Sequence, residues 1–195
     1  MQFQPCKYIY DDIYSGDVFF SHGCTFIGDT IRLFETNTFH FTDCDLTIPD
    51  HAGFFFEIYG QMFAAEVGIN GITIDSIDKV YTKANNQIIS VLHWNFLPVN
   101  DFNIYMAYWI RKRMEEGYDI IGAISSVKFF QWLGLKPDST KEFCSKDVFS
   151  VLKYLRQSFP GEWDKQAPDP LRLYNYLVGC SKWKALPVNC WKKAA

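Results

Sequence analysis

Residues 51–74 read HAGFFFEIYGQMFAAEVGINGITI, and this stretch decides the fold. It is rich in the aromatic and β-branched residues that favour strands, and glycines interrupt it at Gly60, Gly68 and Gly71. We therefore predict two or three consecutive antiparallel strands, at His51 to Tyr59, Gln61 to Val67 and Gly71 to Ile74. The pair Asn70-Gly71 favours a tight hairpin before the last of them.

Strand patterns also flank this stretch. Ser15-Gly16-Asp17 is a turn sequence that precedes the apolar run Val18 to Phe20, and a further strand is expected at Gln87 to Trp94. Beyond that strand the spacing of apolar residues changes from 2 to about 3.6, which indicates helices.

The first predicted helix begins at Asp101, which can cap it, and ends at Gly117. A polar face carries Arg111 and Glu115 together with Ile104 and Tyr108. The opposite face is apolar and is formed by Phe102, Met106, Trp109, Ile110 and Met114.

A second helix presents a core-facing stripe formed by Cys144, Val148, Val151, Leu152 and Leu155. Ser139 with Glu142 fits a capping box, and a start at Phe143 or Cys144 fits equally, so Cys144 lies either one turn inside the helix or at its first residue. Pro168-Asp169-Pro170 opens a short helix through Tyr176, and the last fifteen residues carry no usable pattern. Strands followed by helices predict an α+β domain with a small antiparallel sheet packed on a helix.

Composition limits the class of protein. The chain has 195 residues, the size of one domain (1–195), and 48% of them are apolar while 21% are charged, which excludes a disordered, collagen-like or coiled-coil chain. Nineteen basic and 22 acidic residues give a net charge of -3 without a long basic run, so we expect no nucleic-acid partner. Aromatic residues reach 18%, and they are assigned to the core, with the wall of an acyl or peptide cleft as the alternative.

Location and cysteine usage are predicted together. The start of the chain does not resemble a signal peptide, and the apolar stretch 52–74 contains Glu57, Gln61, Glu66 and Asn70, so no membrane-spanning segment is expected. The six cysteines form no Cys-x-x-Cys pair, and we expect them to be mostly reduced in a cytoplasmic or virus-associated protein. His22-x-Cys24 with His40-x-x-x-Cys44 could supply zinc ligands, but the spacing lacks the usual knuckle, and we predict no metal and no cofactor.

One cysteine has the setting of a nucleophile. A nucleophilic thiol needs a helix amino terminus, nearby cations or a histidine, and Cys144 begins an amphipathic helix between Lys141 and Lys146. The sheet on which this helix packs is expected to contain His51, with Glu66 on the adjacent strand as the carboxylate that orients the imidazole. Glu57, on the strand of His51, is the weaker alternative.

These residues carry a resemblance to a known family. Asp50-His51-Ala52-Gly53 and Ala64-Ala65-Glu66 resemble the histidine and glutamate strands of the circularly permuted papain-like, NlpC-type cysteine hydrolases, most closely the YiiX-like branch. Four further segments resemble that family in the same order, over about Tyr14 to Val178: Gly16-Asp17-Val18, Glu116-Gly117-Tyr118-Asp119, Phe143-Cys144-Ser145 and Pro168-Asp169-Pro170-Leu171.

The resemblance implies a permuted papain-like fold and a hydrolase that cleaves an amide or ester through a Cys144–His51–Glu66 triad. Cys144 attacks the carbonyl, His51 transfers the proton, and Glu66 orients His51. The Cys144 backbone N–H is a candidate oxyanion donor, and Tyr14 and His22 are candidates for the second one. The implied substrate is a peptide, or a cell-wall-like or lipid-linked molecule.

Two other functions stay open. Relatives of this fold include lipid acyltransferases and acyl hydrolases, so acyl transfer is one alternative. Asp50 before the histidine and Lys146 after the Cys-Ser pair differ from the family, and a polar stretch at about 35–50 reads as an insertion. These differences favour the other alternative, a binding or structural protein that keeps the fold without catalysis.

Overall fold

The computed structural model describes residues 13–23, 48–68, 71–77, 86–95, 97, 99–113, 144–165 and 167–186. This part of the chain is α+β, as predicted, with a six-stranded antiparallel sheet and three α-helices. Several predicted features lie outside the described residues: most of the insertion at 35–50, the helix end at Gly117, and the capping box of Ser139 and Glu142.

The sheet has the strand order β4-β3-β2-β1-β5-β6, and every neighbouring pair is antiparallel. All five predicted strands are present, each within a few residues of its predicted bounds. The absence of a pattern in the last fifteen residues was misleading, because a four-residue edge strand there pairs with β5. The strands are β1 Val18–Gly23, β2 His51–Ile58, β3 Gln61–Gly68, β4 Gly71–Ser76, β5 Asn86–Trp94 and β6 Trp183–Leu186.

Tight turns fix the register of the consecutive strands β2, β3 and β4. Ile58 pairs with Gln61, so β2 and β3 are joined by the two-residue turn Tyr59-Gly60, in which both residues have positive φ (51° and 77°). That is the geometry whose twist matches a β-hairpin. The predicted hairpin between β3 and β4 is also present, although Gly71, with φ of 90°, already pairs with Gly68 as part of β4.

The three helices are α1 Val99–Arg113, α2 Cys144–Tyr154 and α3 Pro170–Gly179, and a 3-10 turn lies at Gly161–Asp164. The prediction that Asp101 caps α1 is wrong, because the helix begins at Val99 and places Asp101 in its first turn. A carboxylate there still interacts favourably with the helix dipole. Asp169 caps α3, since its side chain accepts a hydrogen bond from the Arg172 N–H at 2.7 Å.

The core lies on both faces of the sheet. On one face, the apolar sides of α1, α2 and α3 cover alternate residues of β1 and β2, and the predicted α2 stripe from Cys144 to Leu155 is buried throughout. On the other face, Phe19, Phe55 and Ala64 belong to a second buried cluster. The helix that carries Cys144 therefore packs on the sheet as predicted. No helix in the described part of the chain combines the length and apolarity needed to cross a bilayer.

Candidate active site

Two hydrogen bonds with residues outside α2 anchor the first turn of this helix, where Cys144 lies. The buried Ser145 hydroxyl donates to the Pro168 carbonyl at 2.7 Å, and the Trp109 indole N–H donates to the Asp147 carboxylate at 3.0 Å. Cys144 itself is 2% exposed. The Cys-Ser pair and the proline segment noted in the sequence are thus joined directly, and the bond fixes the backbone next to the thiol.

His51 and Glu66 meet because of the register between β2 and β3. Glu66 pairs with Gly53, which is two residues after His51, so the two side chains are diagonal neighbours on one face of the sheet. His51 Nε2 lies 3.0 Å from Glu66 Oε2, and the two side chains are 17% and 10% exposed. Glu57, the weaker alternative, is exposed at the far end of β2.

Cys144 lies close enough to the imidazole of His51 for its side chain to affect the pKa of His51. Because Nε2 faces Glu66, the nitrogen available to the sulfur is Nδ1. Burial by itself lowers the pKa of His51, but Cys144, followed by Glu66, raises this pKa well above its ordinary value. The structure therefore brings all three residues of the predicted triad together, with the imidazole between a sulfur and a carboxylate and its charged form favoured.

Tyr14, one of the two oxyanion candidates from the sequence, lies away from this group. It precedes the Gly16 turn, whose N–H donates to the Phe55 carbonyl at 2.8 Å. Phe55 lies farther along β2 than His51 by roughly 13 Å, at about 3.3 Å a residue. The Tyr14 ring instead lies 5.1 Å from the ring of His93 and is half exposed.

His22, the other oxyanion candidate, is buried beside the residue that precedes His51. Its Nδ1 lies 3.7 Å from Asp50 Oδ2, and both side chains are at most 2% exposed. Of the four residues of the zinc alternative, His22 alone is among those described. Within the described residues, no group of three or more His, Cys, Asp and Glu could hold a metal ion.

Sequence reasoning missed a further carboxylate–imidazole pair, formed by Asp17 and His93. Asp17 Oδ1 lies 2.7 Å from His93 Nδ1, and Asp17 Oδ2 accepts the Tyr14 N–H at 2.8 Å. Burial raises the pKa of Asp17 to about 6, against the opposing effect of these hydrogen bonds. The Gly16-Asp17 turn was noted in the sequence. Nothing in the sequence singled out His93, which is one polar residue within a predicted strand. The pair ties the turn to β5.

The raised pKa of Asp17 predicts a pH dependence of stability. Because the folded value, about 6, exceeds the ordinary 3.8, the folded state holds this proton more tightly. Its contribution to the free energy of unfolding is complete below the ordinary value and is lost as the pH rises through about 6. We expect wild type to gain stability relative to Asp17→Asn as the pH falls from 7 to 4, measured by urea unfolding. A pH-independent difference between the two would contradict the assignment.

Comparison with known proteins adds no name to this geometry. No protein-family model matches the chain, and a search of the curated proteins finds no relative.

Proposed function

We propose that this protein is a cysteine hydrolase of the permuted papain-like kind, which cleaves an amide or ester bond with Cys144, His51 and Glu66. The observation that carries the proposal is the position of His51, which forms a hydrogen bond with the Glu66 carboxylate and lies close enough to Cys144 for that side chain to raise its pKa. An imidazole held between a thiol and a carboxylate is the arrangement that activates a sulfur nucleophile. The order of the three residues along the chain, His51, Glu66 and Cys144, matches the permuted family.

The reaction has two steps. In the first, the Cys144 thiolate forms a bond to the carbonyl carbon, the π electrons move to the carbonyl oxygen, and the C–O or C–N bond then breaks as His51 gives its proton to the leaving group. In the second, His51 takes a proton from water, whose oxygen attacks the thioester. Free acid is released, and the sulfur returns to its starting state.

The raised pKa of His51 suits the first step. An imidazole that keeps its proton above its ordinary pKa is already charged when the substrate arrives, so the sulfur can attack as a thiolate and the proton is at hand for the leaving group. Glu66 supports this role in two ways, since its charge favours the imidazolium and its hydrogen bond holds the ring with Nδ1 toward Cys144.

The contact between Cys144 and His51 also bears on the two alternatives. A binding protein that had lost catalysis has no need to keep a buried thiol beside an imidazole, so this contact favours hydrolysis over binding alone. Transfer of the acyl group to a lipid would use the same thioester with a different acceptor. Peptide amides and phospholipid esters offered to the same protein separate the two chemistries by the product that is released.

Acylation of the thiol tests the proposal directly. We expect p-nitrophenyl acetate to acetylate wild type once, with release of p-nitrophenolate, and intact-mass analysis after an acid quench to show the adduct. Cys144→Ala should show neither the adduct nor the burst of p-nitrophenolate.

Cys180 provides the matched control. It is the other cysteine of the described residues, reduced and more exposed than Cys144. If accessibility alone governed labelling, Cys180→Ala would lose the adduct and Cys144→Ala would keep it. That outcome would overturn the proposal.

A further inference from the structure

The hydroxyl of Ser21 is a buried polar group without a partner, and it lies next to the candidate site. Ser21 is 2% exposed, and among the described residues its Oγ has no hydrogen-bond partner. Two other buried serines contrast with it: Ser15 Oγ donates to Asn103 Oδ1 at 2.8 Å, and Ser145 Oγ donates to the Pro168 carbonyl. Leaving such a group unpaired is unfavourable for folding, so its presence calls for an explanation.

The sheet register places this hydroxyl opposite His51. Ser21 and His51 are directly paired between β1 and β2, so their side chains leave the same face with Cβ atoms roughly 5 Å apart. Glu66 lies on that face as well, as the diagonal neighbour of His51 on its other side. Ser21 and Glu66 therefore flank the imidazole from two neighbouring strands.

A bulge in the neighbouring strand β5 lies beside this point of β1. Phe20 pairs with Ser90 on β5, whereas Ser21 pairs with Ile88, so the register with β5 shifts between the two residues while the pairing with β2 continues. Bulges often lie beside active sites, where they redirect a side chain. Here the extra residue lies on β5, so the Ser21 hydroxyl keeps the direction set by the regular pairing of Ser21 with His51.

We propose that the Ser21 hydroxyl is the second oxyanion donor of the hydrolase, acting with the backbone N–H of Cys144. The assignment rests on the proposed function. As the thiolate attacks, the carbonyl oxygen gains the π electrons, and the Ser21 O–H donates a hydrogen bond to it without giving up its proton. The donor has no partner among the described residues, so it can form its hydrogen bond with the charge that develops on the substrate. Ser21 thereby takes the role for which Tyr14 and His22 were the candidates from the sequence.

Two reactions of Cys144 separate this role from a structural one. Acetylation by p-nitrophenyl acetate passes through an oxyanion, whereas alkylation by iodoacetamide does not. We expect Ser21→Ala to slow acetylation about 10²-fold, in the range found for loss of one oxyanion donor, while the rate of alkylation stays at the wild-type value. The conservative variant Ser21→Thr, which keeps a hydroxyl, should recover part of the acetylation rate.

Stability gives a second readout. Ser21→Ala removes an unpaired buried hydroxyl, so its melting temperature should equal or exceed that of wild type. Ser90→Ala is the matched control: Ser90 is a buried serine that pairs with Phe20, on the opposite face from Ser21 and His51, and its loss should leave acetylation unchanged.

Each outcome bears on a distinct claim. If Ser21→Ala is acetylated at the wild-type rate, Ser21 is not an oxyanion donor, and the hydrolase proposal is unaffected. Equal slowing of acetylation and alkylation also rejects it, since that result means that Ser21 positions His51 or the thiol. A wild-type protein that is alkylated at Cys144 but never acetylated overturns the hydrolase proposal, and the assignment of Ser21 with it.

Discussion

Replacement of His51 by Gln is expected to lower kcat/KM for ester hydrolysis about 10³-fold or more, the size of effect seen when one member of a catalytic triad is removed. The imidazole lies beside Cys144 and forms a hydrogen bond with Glu66, so its loss removes the proton carrier and the charge beside the sulfur at once. Steady-state kinetics with p-nitrophenyl acetate measures the effect. Circular dichroism of the variant tests whether the fold persists.

The pH dependence of kcat/KM tests whether activity depends on the ionisation of His51. Because the pKa of His51 is raised, the imidazolium and its pairing with the sulfur persist above the ordinary value, and activity should fall only as the pH rises through the folded-state pKa. The sign is the same for stability, which His51 supports fully below its ordinary pKa and ceases to support above the raised one. In Glu66→Gln we expect this alkaline limb to move to lower pH, because one of the groups that raise the pKa is gone.

His93→Gln is the matched control for His51. His93 also forms a hydrogen bond with a buried carboxylate, but its partner Asp17 belongs to the Gly16 turn beside Phe55, away from the first residue of β2. We expect this variant to keep kcat/KM within a few-fold of wild type. A similar loss of activity in both histidine variants would mean that the losses come from the fold and not from the triad.

Gly53→Ala is expected to reduce the free energy of unfolding by about 3 kcal/mol, as overpacking of a buried site does. A Cβ at this position would lie 2.4 Å from the Phe19 ring and 2.6 Å from the Ala65 carbonyl oxygen. Neither can easily move, because Phe19 is fully buried against Phe55, with 4.9 Å between the ring centroids, and the carbonyl belongs to the central strand β3. Urea unfolding measures the loss.

Gly68→Ala serves as the control for Gly53. It lies on β3, where an added Cβ would meet nothing within 4 Å, and we expect less than about 0.5 kcal/mol of change. Combining Gly53→Ala with Phe19→Leu should cost less than the sum of the single variants, because the smaller side chain relieves the clash. Equal destabilisation at the two glycines would show that contact with Phe19 is not the cause.

Much of the fold could be predicted because short stretches of the sequence indicate individual strands, turns and helices. Gly60 and Gly71 mark turns that need positive φ, and the apolar spacing from Cys144 to Leu155 specifies one buried helix face. The contact between His51 and Glu66 followed from the same logic, because two strands joined by a short turn place diagonal residues within reach.

The remaining features depend on which strands are neighbours in the sheet, and no short stretch of sequence indicates this. Strand β6 is a four-residue edge strand that exists because β5 offers it an unpaired edge, and His93 has a carboxylate partner because β1 and β5 are neighbours. Ser21 was missed for the same reason. It becomes distinctive only when the register sets it opposite His51 and leaves its hydroxyl unpaired.

The tight turn between β2 and β3 has a consequence for the order in which the site assembles. His51 and Glu66 are close in sequence, so little loop-closure entropy opposes their meeting, and a hairpin forms early in folding. Cys144 reaches them from much farther along the chain, after the α2 helix docks on the sheet and Trp109 and Pro168 anchor its first turn. On the proposed function, a newly made chain would thus acquire its acid–base pair before its nucleophile, and it would become reactive only after α2 has docked on the sheet.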